Sequence, residues 1–213
     1  MKCKLWGAAL LLALTVGLNS NAWAANKQVV DIKSVKVPAG VTLYQGDQVS
    51  LLTNKQDINT FLMDLGVLST DVYQLRYKEN NEFRYAVVAD IRLGEAGLEK
   101  MGIQASMPII SLKKKKEELP TYTKEVAEFI NANGANVEHP YVVVTPLTEQ
   151  KNGTYEGVIR MDTIEGTKIY SDTLHIVVYE NLYFGTSIRV IGLGSADDTA
   201  LWPKVSSFAK VYK

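Results

Sequence analysis

Two neighbouring segments between Tyr73 and Leu93 alternate apolar and polar residues one by one. The second segment keeps this alternation over eleven residues, and its apolar members are Phe83, Tyr85, Val87, Ala89, Ile91 and Leu93. A period of two is the pattern of a β-strand that packs one face on a core. Because Glu79-Asn80-Asn81-Glu82 lies between the segments, the pattern predicts a hairpin with one buried face and one partly wet face.

The last third of the chain predicts a further set of strands joined by short turns. The turns are placed at Asn152-Gly153, a strong hairpin signal, at Glu165-Gly166 and at Glu180-Asn181. The predicted strands are Tyr141 to Thr145, Tyr155 to Thr163, Lys168 to Tyr179 and Leu182 to Leu193, with a shorter one at Met107 to Leu112.

Three segments have the apolar spacing of amphipathic helices. The first runs from about Lys55 to Leu65 after the N-cap Asn54, and Gly66 ends it. The second spans about Thr121 to Asn133, and the third begins near Thr199 and carries Leu201, Val205, Phe208 and Tyr212. A shorter helix between Gly94 and Gly102 is weakened by its glycines.

These elements predict an α+β fold, with a mainly antiparallel sheet of about six or seven strands and about three packed helices. No internal repeat or long linker divides residues 25–213. We therefore expect a single globular domain over that range.

The first 24 residues have the three parts of a secretory signal peptide. Lys2 and Lys4 give a positive start, an apolar run follows, and Ala22-Trp23-Ala24 supplies the small-x-small site. The apolar run is shorter than the roughly 20 residues that a transmembrane helix needs. We predict cleavage between Ala24 and Ala25, and hence a periplasmic or extracellular protein.

Cysteine and charge limit the classes of function. Cys3 is the only cysteine and would leave with the signal peptide, so no disulfide is expected in the mature chain. Without Lys2 and Lys4 the 23 basic residues fall to 21 against 23 acidic ones, a formal charge of −2. A nucleic-acid partner is not expected, because such binders have a clear basic excess.

The end of the chain resembles the close of the PsbP-like family of exported α/β sandwiches. The residues that carry the resemblance are Tyr183, Ile188-Arg189-Val190, Gly194, Asp197-Asp198, Trp202 and Phe208. The family acts mostly in accessory or assembly roles without catalysis, and it offers no invariant site to carry over. The stretch from Gly94 to Glu118 departs from the family pattern.

The residues that carry chemistry give no catalytic or metal motif. The chain has two histidines, His139 before a proline and His175 inside a predicted strand, and each is interpreted as structural or as a surface residue. Asp162, Glu165 and Asp172 flank one predicted hairpin, but they lack the spacing of a calcium loop. No catalytic residue, metal site or cofactor is predicted.

Two further segments suggest ligands only weakly. Gly192-Leu193-Gly194-Ser195 lies where phosphate loops occur, yet Asp197 stands where a third glycine would be needed and would repel a phosphate. Lys113, Lys114, Lys115 and Lys116 form a basic run that could contact an anionic membrane surface or a partner. An exposed loop is the simpler interpretation of that run, because Glu117 and Glu118 follow it.

We therefore expect a non-catalytic binding or accessory protein of the bacterial cell envelope, whose partner is an envelope protein or a small ligand. Exposed tyrosines such as Tyr44, Tyr73 or Tyr155 would form the partner surface, although packing in the core is the more common place for any one tyrosine. The alternative is an envelope hydrolase whose site is built from two carboxylates at a separation that a sequence does not reveal. A third hypothesis is peripheral membrane contact through Lys113 to Lys116.

Overall fold

The computed structural model describes residues 27–45, 72–104, 121–134, 141–165, 167–181, 185–193 and 201–213. Its seven strands form one sheet in the order β1-β2-β3-β7-β6-β5-β4, and every neighbouring pair is antiparallel. Together with three helices this is an α+β fold, as predicted. The strands are β1 (Val41–Gln45), β2 (Val72–Glu79), β3 (Glu82–Arg92), β4 (Tyr141–Glu149), β5 (Tyr155–Glu165), β6 (Lys168–Asn181) and β7 (Gly185–Gly192).

The predicted hairpin between β2 and β3 is confirmed. Asn80 and Asn81 have φ angles of 50° and 67°, and Glu79 pairs with Glu82. Two central residues at positive φ form the turn type that matches the twist of the flanking strands, and asparagine tolerates this conformation better than most residues. The two-residue turn fixes the register of the whole hairpin.

One face of the sheet, here called the helix face, packs against two helices. They are α1 (Glu95–Lys100) and α2 (Thr123–Asn133), and Gly134 ends the second as predicted. Val126 and Ile130 of α2 and Leu98 of α1 are fully buried against the apolar side chains of β3, β5, β6 and β7. This cluster is the main hydrophobic core.

The opposite face, here called the terminal face, is covered by the two ends of the described chain. Segment 27–37 and segment 201–213 pack on Leu75, Ala86, Val88 and Ile191. The prediction of one partly wet face is therefore wrong for the centre of the sheet. Alternation did not reveal this, because Ala86, Val88 and Asp90 form a mixed row that looks half-exposed in sequence.

The C-terminal segment is less helical than its apolar spacing predicts. α3 spans only Trp202–Val205, a 3-10 turn follows at Ser206–Ala209, and Tyr212 then forms an antiparallel bridge with Val29. Leu201, Val205, Phe208 and Tyr212 are nevertheless buried. The spacing thus identified the buried residues correctly and the length of the helix wrongly, because the last residues pair with segment 27–37.

Several predictions fall on residues outside the described part of the chain. They are the signal peptide with Ala24 and Ala25, the helix from Lys55 to Leu65, the strand from Met107 to Leu112, the run from Lys113 to Lys116, and His139. In the part of the chain that the structure describes, no helix combines the length and apolarity needed to cross a membrane.

Candidate functional site

The register of the β2–β3 hairpin places the polar residues of β2 on the helix face. Gln74 lies opposite Val87, and Arg76 lies opposite Tyr85. Directly opposed residues of antiparallel strands point to the same side of a sheet. Since Val87 belongs to the main core, Gln74 and Arg76 face that core's side rather than the other.

Three aromatic rings surround the guanidinium group of Arg76. The centroids of Tyr44, Tyr85 and Phe83 lie 4.7, 5.3 and 5.7 Å from its Cζ atom. These distances are within the range of a cation–π interaction, in which the ring faces attract the positive charge. We call this group of Tyr44, Arg76, Phe83 and Tyr85 the Arg76 cradle.

The Arg76 cradle lies at the surface, toward the β1 edge of the sheet. Phe83 is 56% exposed, which is unusual for a phenylalanine, and the other three side chains are half-buried. Lys78 is exposed on the same face, opposite Phe83. The surface thus offers two cations and an apolar ring to solvent.

No described carboxylate forms an ion pair with Arg76. Its Nε atom is buried without a hydrogen-bond partner. Contacts with ring faces do not use the N–H donors of a guanidinium, which bind acceptors in its plane. The cradle therefore holds a cation whose Nε has no acceptor among the described residues.

Gln74 adds a second unpaired group next to the cradle. Its side chain is 0% exposed, and neither Oε1 nor Nε2 has a hydrogen-bond partner. A buried polar group left unpaired costs about 1–3 kcal/mol. Tyr44 is its cross-strand neighbour on β1, so the two side chains lie on the same face of the sheet.

Arg189, on the terminal face, has the opposite surroundings. It is 0% exposed, and its Nε and Nη2 atoms donate to the two carboxylate oxygens of Asp90, each at 2.7 Å. Nη2 also donates to the Val30 carbonyl at 2.6 Å, and Nη1 donates to those of Phe208 and Lys210 at 3.2 and 2.9 Å. All five N–H groups of the guanidinium are used.

The charges around Arg189 shift the pKa values of the buried groups. Burial disfavours the charged guanidinium, but the hydrogen bonds and the charge of Asp90 outweigh it and raise the pKa of Arg189. Burial and the same carboxylate raise the pKa of Tyr179, whose hydroxyl donates to Asp90 at 3.2 Å. Arg189 therefore stays charged and Tyr179 stays neutral near pH 7. Because Arg189 also binds carbonyls of segments 27–37 and 201–213, this cluster fastens both terminal segments to the sheet.

His175, one of the two candidate bases, lies on β6 and stacks on Trp202. The ring centroids are 3.5 Å apart and the planes differ by 6°. Burial lowers the pKa of His175 to about 4, so the imidazole is neutral near pH 7. The stack therefore connects β6 to segment 201–213.

Two of the carboxylates considered for calcium, Asp162 and Asp172, do not converge, and the side chain of Glu165 lies outside the described part of the structure. Asp162 pairs with Ser171 and Asp172 pairs with Met161, so the two aspartates point to opposite faces of the sheet. Asp162 accepts from Ser171 at 2.6 Å and from Arg160 at 3.2 Å. Within the described ranges, no three His, Cys, Asp or Glu residues group as metal ligands.

The tyrosines proposed for a partner surface divide between core and surface. Tyr73 is 4% exposed and belongs to the core under the terminal segments, so it does not form such a surface. Tyr44 is half-buried in the Arg76 cradle, and Tyr155 is half-buried against the main core. Asn152 forms the predicted turn, and its side chain accepts from the Thr154 amide at 3.0 Å.

Sequence reasoning missed Gln74, Arg76 and the role of Arg189. The first two are polar residues that alternate with Tyr73, Leu75 and Tyr77 along β2. The signal that would have found them is the two-residue turn, because it aligns Arg76 with Tyr85 and Gln74 with Val87 on the apolar side of β3.

The chain matches no protein-family model, no curated protein and no solved structure.

Proposed function

We propose that this chain is a non-catalytic binding protein of the bacterial cell envelope, and that it holds an anionic ligand in the Arg76 cradle. The observation that carries the proposal is a guanidinium enclosed by three aromatic rings with no acidic partner among the described residues. The envelope location rests on the leading segment with its cleavage site at Ala24-Ala25.

The geometry favours an anion with an apolar part. Arginine pairs with carboxylates and phosphates through two parallel hydrogen bonds, and such charge-assisted bonds are the strong ones. Lys78 adds a second positive charge on the same face, and the exposed ring of Phe83 offers an apolar contact. An aromatic or aliphatic acid would engage both parts of the surface.

The groups in the cradle bind and orient ligands. A guanidinium and aromatic rings supply charge, hydrogen bonds and stacking, whereas hydrolysis requires a nucleophile or a pair of carboxylates. These residue types support binding as the activity of the site, in preference to the hydrolase alternative.

The test is a calorimetric titration of the wild-type protein with benzoate and with benzyl phosphate at low ionic strength. We expect both anions to bind and neutral benzamide not to bind. Arg76→Gln should weaken the binding of both anions about 10- to 100-fold, because a charged hydrogen-bond pair is worth about 1.5–3 kcal/mol.

Arg84→Gln is the matched control. Arg84 lies on the same hairpin, is exposed, and points to the other face of the sheet, opposite Tyr77. This variant should bind both anions as the wild type does. Equal binding by Arg76→Gln, or no binding of either anion to the wild type, would refute the proposed site.

A second candidate function, contact with an anionic membrane surface, is favoured by the distribution of charge. Segments 27–37 and 201–213 carry six lysines against one aspartate, whereas α1 and α2 carry four glutamates against two lysines. These two segments of the terminal face are therefore positive, and α1 and α2 together are negative. Lys33, Lys36, Lys210 and Lys213 are exposed there, and each lysine near such a surface contributes about 1 kcal/mol.

Vesicles of phosphatidylglycerol, compared with neutral phosphatidylcholine vesicles, separate the two possible lysine sets. Replacing the four exposed lysines of the terminal face by glutamine should abolish salt-sensitive sedimentation with the anionic vesicles. The same change at Lys113 to Lys116 is the comparison variant. If only the latter variant loses binding, the contact belongs to that run instead.

A further inference from the structure

Gln74 is the polar side chain that the fold of this protein leaves least explained. It is completely buried, both of its amide atoms are unpaired, and it lies two residues from Arg76 on the same face of β2. A hydrophobic residue of the same volume would fill the position without that penalty. The position therefore behaves as one kept for binding rather than for stability.

The spacing of the two residues defines what a shared ligand must carry. Alternate residues of a strand are about 7 Å apart along its axis. A glutamine amide has donors on its NH2 group and an acceptor on its carbonyl, so it can either donate to the C=O or accept from the N–H of another amide. In an extended peptide, the second amide from the C-terminus lies roughly 7 Å from the terminal carboxylate.

From this geometry we propose that Gln74 is a specificity-determining residue of the Arg76 cradle, and that the ligand is an acylated dipeptide or a longer peptide with a free carboxylate. The carboxylate binds Arg76 and an amide of the ligand pairs with Gln74. The inference rests on the proposed anion-binding function. Tyr44 is half-buried and directly opposite Gln74, so the two side chains are neighbours on the helix face.

The experiment uses N-benzoylglycylglycine as the probe, with its C-terminal amide and benzoate as comparison ligands. The wild-type protein should bind the probe at least tenfold more tightly than benzoate. It should not bind the C-terminal amide of the probe. Gln74→Met should bind benzoate as the wild type does but lose at least tenfold in affinity for the probe.

The same variant should also be more stable than the wild type. Removing two unpaired buried atoms should raise the Tm of Gln74→Met by about 3 °C in a domain of this size. Gln74→Leu serves as the second variant if Gln74→Met does not fold. A purely structural glutamine would not combine a higher Tm with a weaker probe affinity.

The possible results separate the two proposals. If Gln74→Met binds the probe as tightly as the wild type, or if the wild type prefers benzoate, the inference about Gln74 is wrong while the cradle stands. If the wild type binds neither the probe nor benzoate, the proposed function itself fails. If Gln74→Met loses the probe but is less stable, its role is structural and the inference is likewise overturned.

Discussion

Arg76 and Arg189 stand on opposite faces of the same sheet and show two uses of one side chain. Arg189 has a bidentate carboxylate and three backbone carbonyls, so each of its N–H groups has an acceptor. Arg76 has three ring faces and no described acceptor. All hydrogen bonds of Arg189 are made within the fold. The fold positions Arg76 through aromatic contacts and provides no described acceptor for its N–H groups.

The difference shows how binding sites are distinguished from structural charge clusters. A buried charge that meets all its hydrogen-bonding needs inside the protein contributes to one defined packing. A charge whose surroundings satisfy only its aromatic contacts has remaining capacity for a ligand. Burial alone would have pointed to Arg189, whereas counting acceptors points to Arg76.

Of the changes that test this comparison, replacement of Arg189 should have the largest effect on the free energy of unfolding. In Arg189→Met, Asp90 loses its partner and the carbonyls of Val30, Phe208 and Lys210 lose their donor. We expect the free energy of unfolding in urea to fall by about 4 kcal/mol, as for other buried pairs broken on one side. Arg84→Met, at an exposed position, should change it by less than about 0.5 kcal/mol.

A loss below about 1 kcal/mol for Arg189→Met would contradict the assignment of Arg189 as the fastener of both terminal segments. Hydrogen exchange gives an independent check. The amides of Val30 and Lys213, which donate to Val211 and Gln28, should exchange faster in the variant. The amides of β5 should change less.

Acidification should have the next largest effect on the free energy of unfolding. It acts through His175, which stacks on Trp202 of segment 201–213. Its folded pKa of about 4 lies below its ordinary value of 6.5, so the unfolded chain binds the proton first. Stability contributed by the neutral ring is therefore present above pH 6.5 and lost as the pH falls toward 4. With allowance for partial exposure, this amounts to roughly 2 kcal/mol.

The measurement is urea unfolding at pH 7 and pH 4.5 for the wild type and for His175→Phe. Phenylalanine keeps the stack on Trp202 and does not titrate, so the variant should lose less stability on acidification. The two proteins differ only at residue 175, so the contributions of all other groups cancel in the difference. Identical losses in the two proteins would show that burial of His175 does not couple to pH.

Replacement of Arg76 should have the smallest effect on stability and the largest on binding. Arg76→Gln removes cation–π contacts at a half-exposed site, which are worth about 0.5–1 kcal/mol. The loss in urea unfolding should stay below about 1 kcal/mol, against about 4 kcal/mol for Arg189→Met. A comparable loss at both positions would erase the distinction between the two arginines.

Much of the sheet could be predicted from the sequence, because its signals are local. Alternation located β2 and β3, and turn residues such as Asn80-Asn81 and Asn152-Gly153 located the hairpins. The alternation of apolar and polar residues reports one strand at a time. It did not show that Ala86 and Val88 would be covered by residues from the two ends of the described chain.

The candidate site was less predictable, because it depends on contacts between strands. Arg76 is an ordinary polar residue in its own strand and becomes distinctive only when Tyr44 and Phe83 are aligned beside it. Arg189 likewise lies in an apolar run, and its partner Asp90 is distant in the sequence. The terminal helix was predicted too long because helical spacing cannot register pairing with Val29.

The bridge between Val29 and Tyr212 has a practical consequence for protein engineering. Since the amide of Lys213 donates to the carbonyl of Gln28 at 3.2 Å, a short glycine-serine linker could join residue 213 to residue 27. New ends could then be opened at Asn80-Asn81, beside the cradle. Such a circular permutant would join segments 27–37 and 201–213 covalently and place a reporter fusion next to the Arg76 cradle.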